Sequence, residues 1–157
     1  MDRIVVGLTD TPAARMALRW AVRTARAEGA ALYVVTAYHA SPALGMAVEA
    51  TIVLPDADLE AAARDEQDRV LREELGDDAL DMPLTQDVVK GDAAHVLIEL
   101  SEGANLLVVG RRKRRFRRMV HSTSRSCANG APCPVVMVRR EMKVTPVRPT
   151  RRSPRGP

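Results

Sequence analysis

Short runs of aliphatic and β-branched residues, each of a length suited to a strand buried on both faces, alternate along this chain with amphipathic helical patterns. That alternation constrains the fold more than any other feature. The first run, IVVGL at residues 4–8, ends at polar Thr9 and Asp10. A helix follows: the Thr11 hydroxyl can take an orphan backbone N–H as N-cap, and Pro12 suits the first helical position, where no N–H is needed. Ala14, Ala17, Leu18, Ala21, Val22 and Ala25 then recur at helical spacing, Arg15, Arg19, Arg23 and Arg26 turn elsewhere, and Gly29 supplies the stop.

The unit repeats. ALYVVTAY at 31–38 reads as a second buried strand, 39–55 as an irregular segment, and 56–75 as an acidic helix closed by Gly76. LTQDVVKG at 84–91 reads as a third strand, after which Asp92 can cap a helix carrying Ala93, Val96, Leu97 and Leu100 on one face. ANLLVVG at 104–110 is a fourth strand, a short helix is expected near 122–129, and VVMVR at 135–139 is the last strand. The alternation predicts an α/β fold with a doubly wound parallel sheet, in which ligands bind at the carboxyl ends of the strands near the switch in strand order. A chain of 157 residues suits one domain. We place it at residues 1–140 and read 141–157, rich in Arg and Pro with little to bury, as a disordered basic tail dispensable for folding.

Charge divides the chain in two. Residues 1–110 carry 9 basic and 19 acidic side chains, whereas residues 111–157 carry 15 basic and 1 acidic. Seven of the eight positions from Arg111 to Arg118 are Arg or Lys. So dense a block repels itself unless it is solvated or meets an anion, so phosphate binding, a polyanion patch and a solvated turn are all open readings of it. Other chemistry is thin. Gx4GK[ST], HExxH and GxSxG are missing, the histidines at 39, 95 and 121 are scattered, and Cys127 and Cys133 have neither CxxC spacing nor a histidine cluster, which suits two ordinary thiols. Trp20 reads as core. No apolar run reaches eighteen residues and no leader pattern opens the sequence, so a cytoplasmic location is expected.

Over residues 3–140 the chain resembles the universal stress proteins. The resemblance rests on IVVGLTDTPAARMALRWA, on VVKGDAAHVLIELSEGANLLVVG and on HSTSRSCANGAPCPVVMV. It implies a five-stranded sheet in the order 3-2-1-4-5, of the adenine nucleotide alpha hydrolase-like type, and a homodimer joined along the last strand, here Val135, Val136, Met137 and Val138. It also implies an ATP site, with magnesium as the accompanying cation, whose phosphate loop follows G-x2-G-x9-G-[ST]. Gly110 holds the first glycine position, Lys113 replaces the second glycine, and His121-Ser122 stands for the closing Gly-Ser in a loop two residues short. The family's aspartate after the first strand corresponds to Thr9, with Asp10 displaced by one, and the adenine-packing position on the second strand maps near Ala37.

The expected nucleotide site therefore comprises Thr9, Asp10, Thr11, Ala37, Gly110, Arg112, Lys113, His121, Ser122, Thr123 and Ser124. The hydroxyls of Ser122, Thr123, Ser124 and Ser126 have helix N-capping as the role expected ahead of direct phosphate contact. Glycines let backbone N–H groups close on a phosphate, whereas Arg and Lys attract it by charge with less selectivity for shape, so weak binding is expected. The expectation is a small stress-response or regulatory binding protein and not an enzyme. Two alternatives remain open: a polyanion or nucleic-acid binder using the basic loop and tail, and a slow ATPase in which a carboxylate such as Asp10 holds the metal.

Overall fold

The computed structural model describes residues 2–39, 54–111 and 122–140. Five strands, β1 (Arg3–Gly7), β2 (Ala31–Tyr38), β3 (Leu84–Lys90), β4 (Leu106–Arg111) and β5 (Val135–Arg139), form one sheet in the order β3-β2-β1-β4-β5. Every pairing is parallel. Helices α1 (Pro12–Glu28) and α2 (Asp56–Leu75) cover one face of the sheet, and α3 (Ala93–Leu100) and α4 (Thr123–Gly130) cover the other. The doubly wound sheet and the expected strand order are thus both present. The readings of 40–53 and of the tail fall outside the described residues.

Local signals act as their chemistry requires. Thr11 Oγ1 accepts the Ala14 N–H at 3.3 Å and Asp92 Oδ1 accepts the His95 N–H at 3.1 Å, so two helices begin on side-chain caps. Helix α1 ends at Gly29, whose φ of 65° lies in the left-handed region and lets its N–H return to the carbonyls of Ala25 and Arg26. Strand β4 begins at Leu106, two residues later than its apolar run suggests. Asn105 just before it is a clip: its Oδ1 accepts the Arg3 N–H at 2.9 Å and its own N–H donates to Arg3 O at 2.9 Å.

The core follows the two-residue period of the strands. Ile4 and Val6 of β1 pack towards α1 and α2 with Leu32, Val34 and Val108, while Val5 packs towards α3 and α4 with Val35, Leu107, Val109 and Cys127. Trp20 is partly buried against the first cluster, as read.

Candidate functional site

In this strand order the chain leaves β1 for β2 on one side and reaches β4 on the other, so the crevice at the switch opens between the carboxyl ends of β1 and β4. The register Val6↔Val108 sets Leu8 level with Gly110, two residues further along both strands, and Thr9 level with Arg111. On the other side the β1–β2 pairing continues past Gly7 through the Leu8 N–H, which donates to Val35 O at 2.8 Å. Thr9 therefore leaves the sheet beside Ala37, which is still within β2 and paired with Val89.

Gly110 is packed closely against helix backbone. A Cβ built on it would lie 2.5 Å from Ala14 N, 2.6 Å from Ala13 C and 2.8 Å from Ala14 Cα, so β4 ends directly against the first turn of α1. Only glycine fits that approach. Thr9 and Thr11 sit beside it, their hydroxyl oxygens 3.4 Å apart, with the Thr11 N–H donating to Thr9 O at 2.8 Å. On the opposite face of the sheet from α1, the first turn of α4 follows the β4–α4 connection. Ser122 is the N-cap residue, yet its side chain caps no backbone N–H and shares a 2.9 Å hydrogen bond with the Ser124 hydroxyl, which is buried. The capping role read for Ser122 is thus not filled by its hydroxyl, and the helix presents its amino end to the crevice without that intrahelical acceptor.

Asp10 does something different from its neighbours. Its carboxylate turns towards α2, where Oδ1 accepts from Arg15 Nε at 2.8 Å and Oδ2 from Arg69 at 2.8 Å, while its backbone N–H donates to Glu66 Oε1 at 3.2 Å. Arg15 also pairs with Glu73 at 2.7 Å and Glu74 at 3.0 Å, Arg19 pairs with Glu74 at 2.6 Å, and Arg69 pairs with Glu73 at 3.3 Å. Six side chains thereby tie the β1–α1 turn to the second half of α2. Arg69 first, and Arg15 next, hold the Asp10 carboxyl below its ordinary range; Arg15 and then Arg69 do the same to Glu73.

A depressed folded-state pKa contributes stability that is fully present above the unfolded value, near pH 4, and is lost as pH falls through the folded value. Melting temperature should accordingly fall steeply only below about pH 4, and Arg69→Gln should flatten that acid limb. Thermal melts at half-unit pH steps check this; equal acid slopes for the two proteins would show that the network is not the cause.

A buried polar thread leads inward from the same strand ends. The Thr36 hydroxyl donates to Leu8 O at 3.0 Å and accepts from Gln67 Nε2 at 3.0 Å, and Nε2 also donates to Asp87 O at 2.9 Å. Gln67 is 1% exposed, and its Oε1 finds no partner among the described residues. At the sheet edge, Lys90 pairs with Asp56 and the Tyr38 hydroxyl reaches Glu60 at 3.4 Å, which fixes the start of α2 to the ends of β2 and β3.

Of the residues read as a nucleotide site, Thr9, Thr11, Ala37, Gly110, Ser122, Thr123 and Ser124 lie at the carboxyl ends of the strands and the head of α4. Asp10 lies there too, with its carboxylate committed elsewhere. Arg112, Lys113 and His121 lie outside the described residues. Arg15, Arg69, Thr36 and Gln67 were missed. The signal for Gln67 is legible in retrospect, since it occupies an apolar-period slot on α2 in line with Val70, Leu71 and Leu75.

A five-stranded parallel sheet in the order β3-β2-β1-β4-β5, with helices on both faces, defines a doubly wound α/β domain. Residues 1–139 match the profile of the universal stress protein family, and the chain belongs to that family. Universal stress protein Rv2623 of Mycobacterium tuberculosis is 34% identical to it, an alignment covering 91% of this chain and 49% of that protein. The chain thus spans about half the length of the curated relatives it matches. Among solved structures, universal stress protein UspA from Lactobacillus plantarum superimposes with a TM-score of 0.65 at 22% identity, over 88% of this chain and 97% of that one. A universal stress protein in complex with cAMP gives 0.64 at 19% identity, over 89% and 98%. The universal stress protein from Archaeoglobus fulgidus in complex with dAMP gives 0.59 at 19%, over 88% and 98%.

Proposed function

We propose that this chain is a regulatory binding module, and not an enzyme, that takes an adenine nucleotide in the crevice between β1 and β4. The observation that carries the reading is the head of α4, where Ser122 leaves the first-turn N–H groups uncapped by its side chain beside a glycine-pinched strand end. Such a helix terminus favours a phosphate. The crystallised relatives that hold cAMP or dAMP share the fold and support the same reading. Affinity should be weak, on the order of tens of micromolar, because a loop rich in Arg and Lys loses side-chain freedom when it clamps an anion.

Calorimetric titration with AMP and ATP at low and high salt tests this. Saturable binding that survives salt and weakens in Ser124→Ala supports the pocket. Heat that disappears at high salt and ignores Ser124→Ala would assign the effect to charge pairing by the basic segment alone.

We also propose that two copies pair along β5. That strand is bonded only to β4, its outer edge is open among the described residues, and Met137 is 42% exposed on it. Sedimentation should show a dimer at micromolar concentration and a monomer for Met137→Pro, which removes a ladder donor. A monomer for the unaltered chain would end the idea. Cytoplasmic residence accords with two free cysteines, one of which, Cys127, is buried with its thiol pushed up to about 11 by desolvation. No helix among the described residues is long and apolar enough to cross a membrane.

A further inference from the structure

We infer that the crevice takes its adenylate without a divalent cation. The inference rests on the adenine-nucleotide reading above and narrows it to metal-free nucleotide. Magnesium arriving with ATP would bind through one or two carboxylates, the phosphate oxygens and retained waters. At the end of β1 Glu66 Oε1 is taken up by the Asp10 N–H at 3.2 Å, and the carboxylate carried by the turn itself is that of Asp10. Both of its oxygens already accept from guanidinium groups, Oδ1 from Arg15 and Oδ2 from Arg69, each at 2.8 Å, and its backbone is held by Glu66. A cation seated there must break at least one charge-assisted pair and then stand beside two arginines. Magnesium does not fit this turn.

The neighbouring carboxylates are engaged as well: Asp10, Glu73 and Glu74 each pair with one or more of Arg15, Arg19 and Arg69, and Glu66 accepts the Asp10 N–H. Among the described residues no group of three or more His, Cys, Asp or Glu is arranged to hold a metal ion. The sequence from Arg111 to His121, which joins β4 to α4, contains no Asp or Glu. The nucleotide's charge is left to backbone N–H groups at the head of α4, which need no metal bridge. Slow ATP hydrolysis through a metal at Asp10 is disfavoured by the same two arginines.

The full chain is titrated with AMP and with ATP, once in excess magnesium and once in EDTA. AMP should bind equally in both within about twofold, and ATP should bind no tighter with magnesium than without it. In a second measurement manganese alone is added and followed by water-proton relaxation, for the unaltered chain and for Asp10→Asn. No saturable binding is expected in either. ATP binding at least about tenfold tighter in magnesium would overturn the inference, as would saturable manganese binding that Asp10→Asn abolishes. No heat from either nucleotide in either buffer would remove the adenylate reading itself, and the inference with it, an outcome distinct from magnesium dependence.

Discussion

Replacing Gly110 by alanine is expected to destabilise the domain by about 3 kcal/mol, at the upper end of what a single added methyl does in a packed interior. The reason is the identity of the atoms it would strike. Its Cβ would come within 2.5–2.8 Å of Ala14 N, Ala13 C and Ala14 Cα, which are backbone atoms of a helix already fixed by the Thr11 cap and by Ala14 and Ala17 in the core. No side-chain rotation relieves that contact, so α1 must move away from β4. Gly7 is the control. Alanine there would meet the ends of Leu97, with Cδ1 at 2.7 Å, and a leucine can turn aside, so about 1 kcal/mol is expected.

For a domain of this size the Gly110 exchange corresponds to a fall of roughly 6–12 °C in melting temperature. It should also weaken the proposed nucleotide binding, because it would shift the first turn of α1 away from the end of β4. Equal melting temperatures for Gly110→Ala and the unaltered chain would mean that the close approach is not real.

Gly110 also shows which kind of information the sequence holds. Strand and helix identity were legible because burial on both faces and helical spacing leave periodic marks. β2 at 31–38 and α2 at 56–75 fall on the residues where the pattern places them, and Thr11, Gly29 and Asp92 act as the caps their chemistry suggests. The resemblance brought the strand order and the position of Gly110. Illegible were contacts that depend on which way a side chain turns. Asp10 lies one residue from where an aspartate is expected, and sequence cannot show that it swings towards α2; that follows from Arg15 and Arg69, distant by 5 and 59 residues, converging on it. The helical spacing shows only that the arginines of α1 turn away from its apolar stripe. Arg15 and Arg19, one turn apart, meet Glu73 and Glu74 on α2, a partnership created only when the β1–β2 crossover sets the two helices side by side.

Gln67→Glu should be the most damaging exchange on α2 at neutral pH, about 3 kcal/mol or more, despite nearly unchanged volume. The amide orientation is fixed by its surroundings: Asp87 O and Val34 O can only accept, and the Thr36 hydroxyl has given its proton to Leu8 O, so all three require the donor Nε2. A carboxylate there would place a charge among three acceptors in a site that is 1% exposed. Desolvation and repulsion would raise the pKa of the introduced carboxyl in the folded state, so its penalty grows as pH rises above the unfolded value near 4.3 and saturates at the raised folded value. Stability of the variant should therefore recover on acidification towards pH 5, where the unaltered chain shows no gain. Gln67→Leu separates charge from hydrogen bonding. It leaves Asp87 O and one Thr36 lone pair without a donor and also removes the unpartnered Oε1, so a smaller, pH-independent loss of about 1–2 kcal/mol is expected. Because Thr36 carries the thread on to Leu8, both variants should loosen the end of β1 next to Thr9, which hydrogen exchange at the Leu8 N–H can report. Denaturant titrations from pH 5 to 8 decide the matter: equal losses at every pH for both variants would mean that Gln67 is not enclosed by acceptors, and that the thread from α2 to the crevice does not exist.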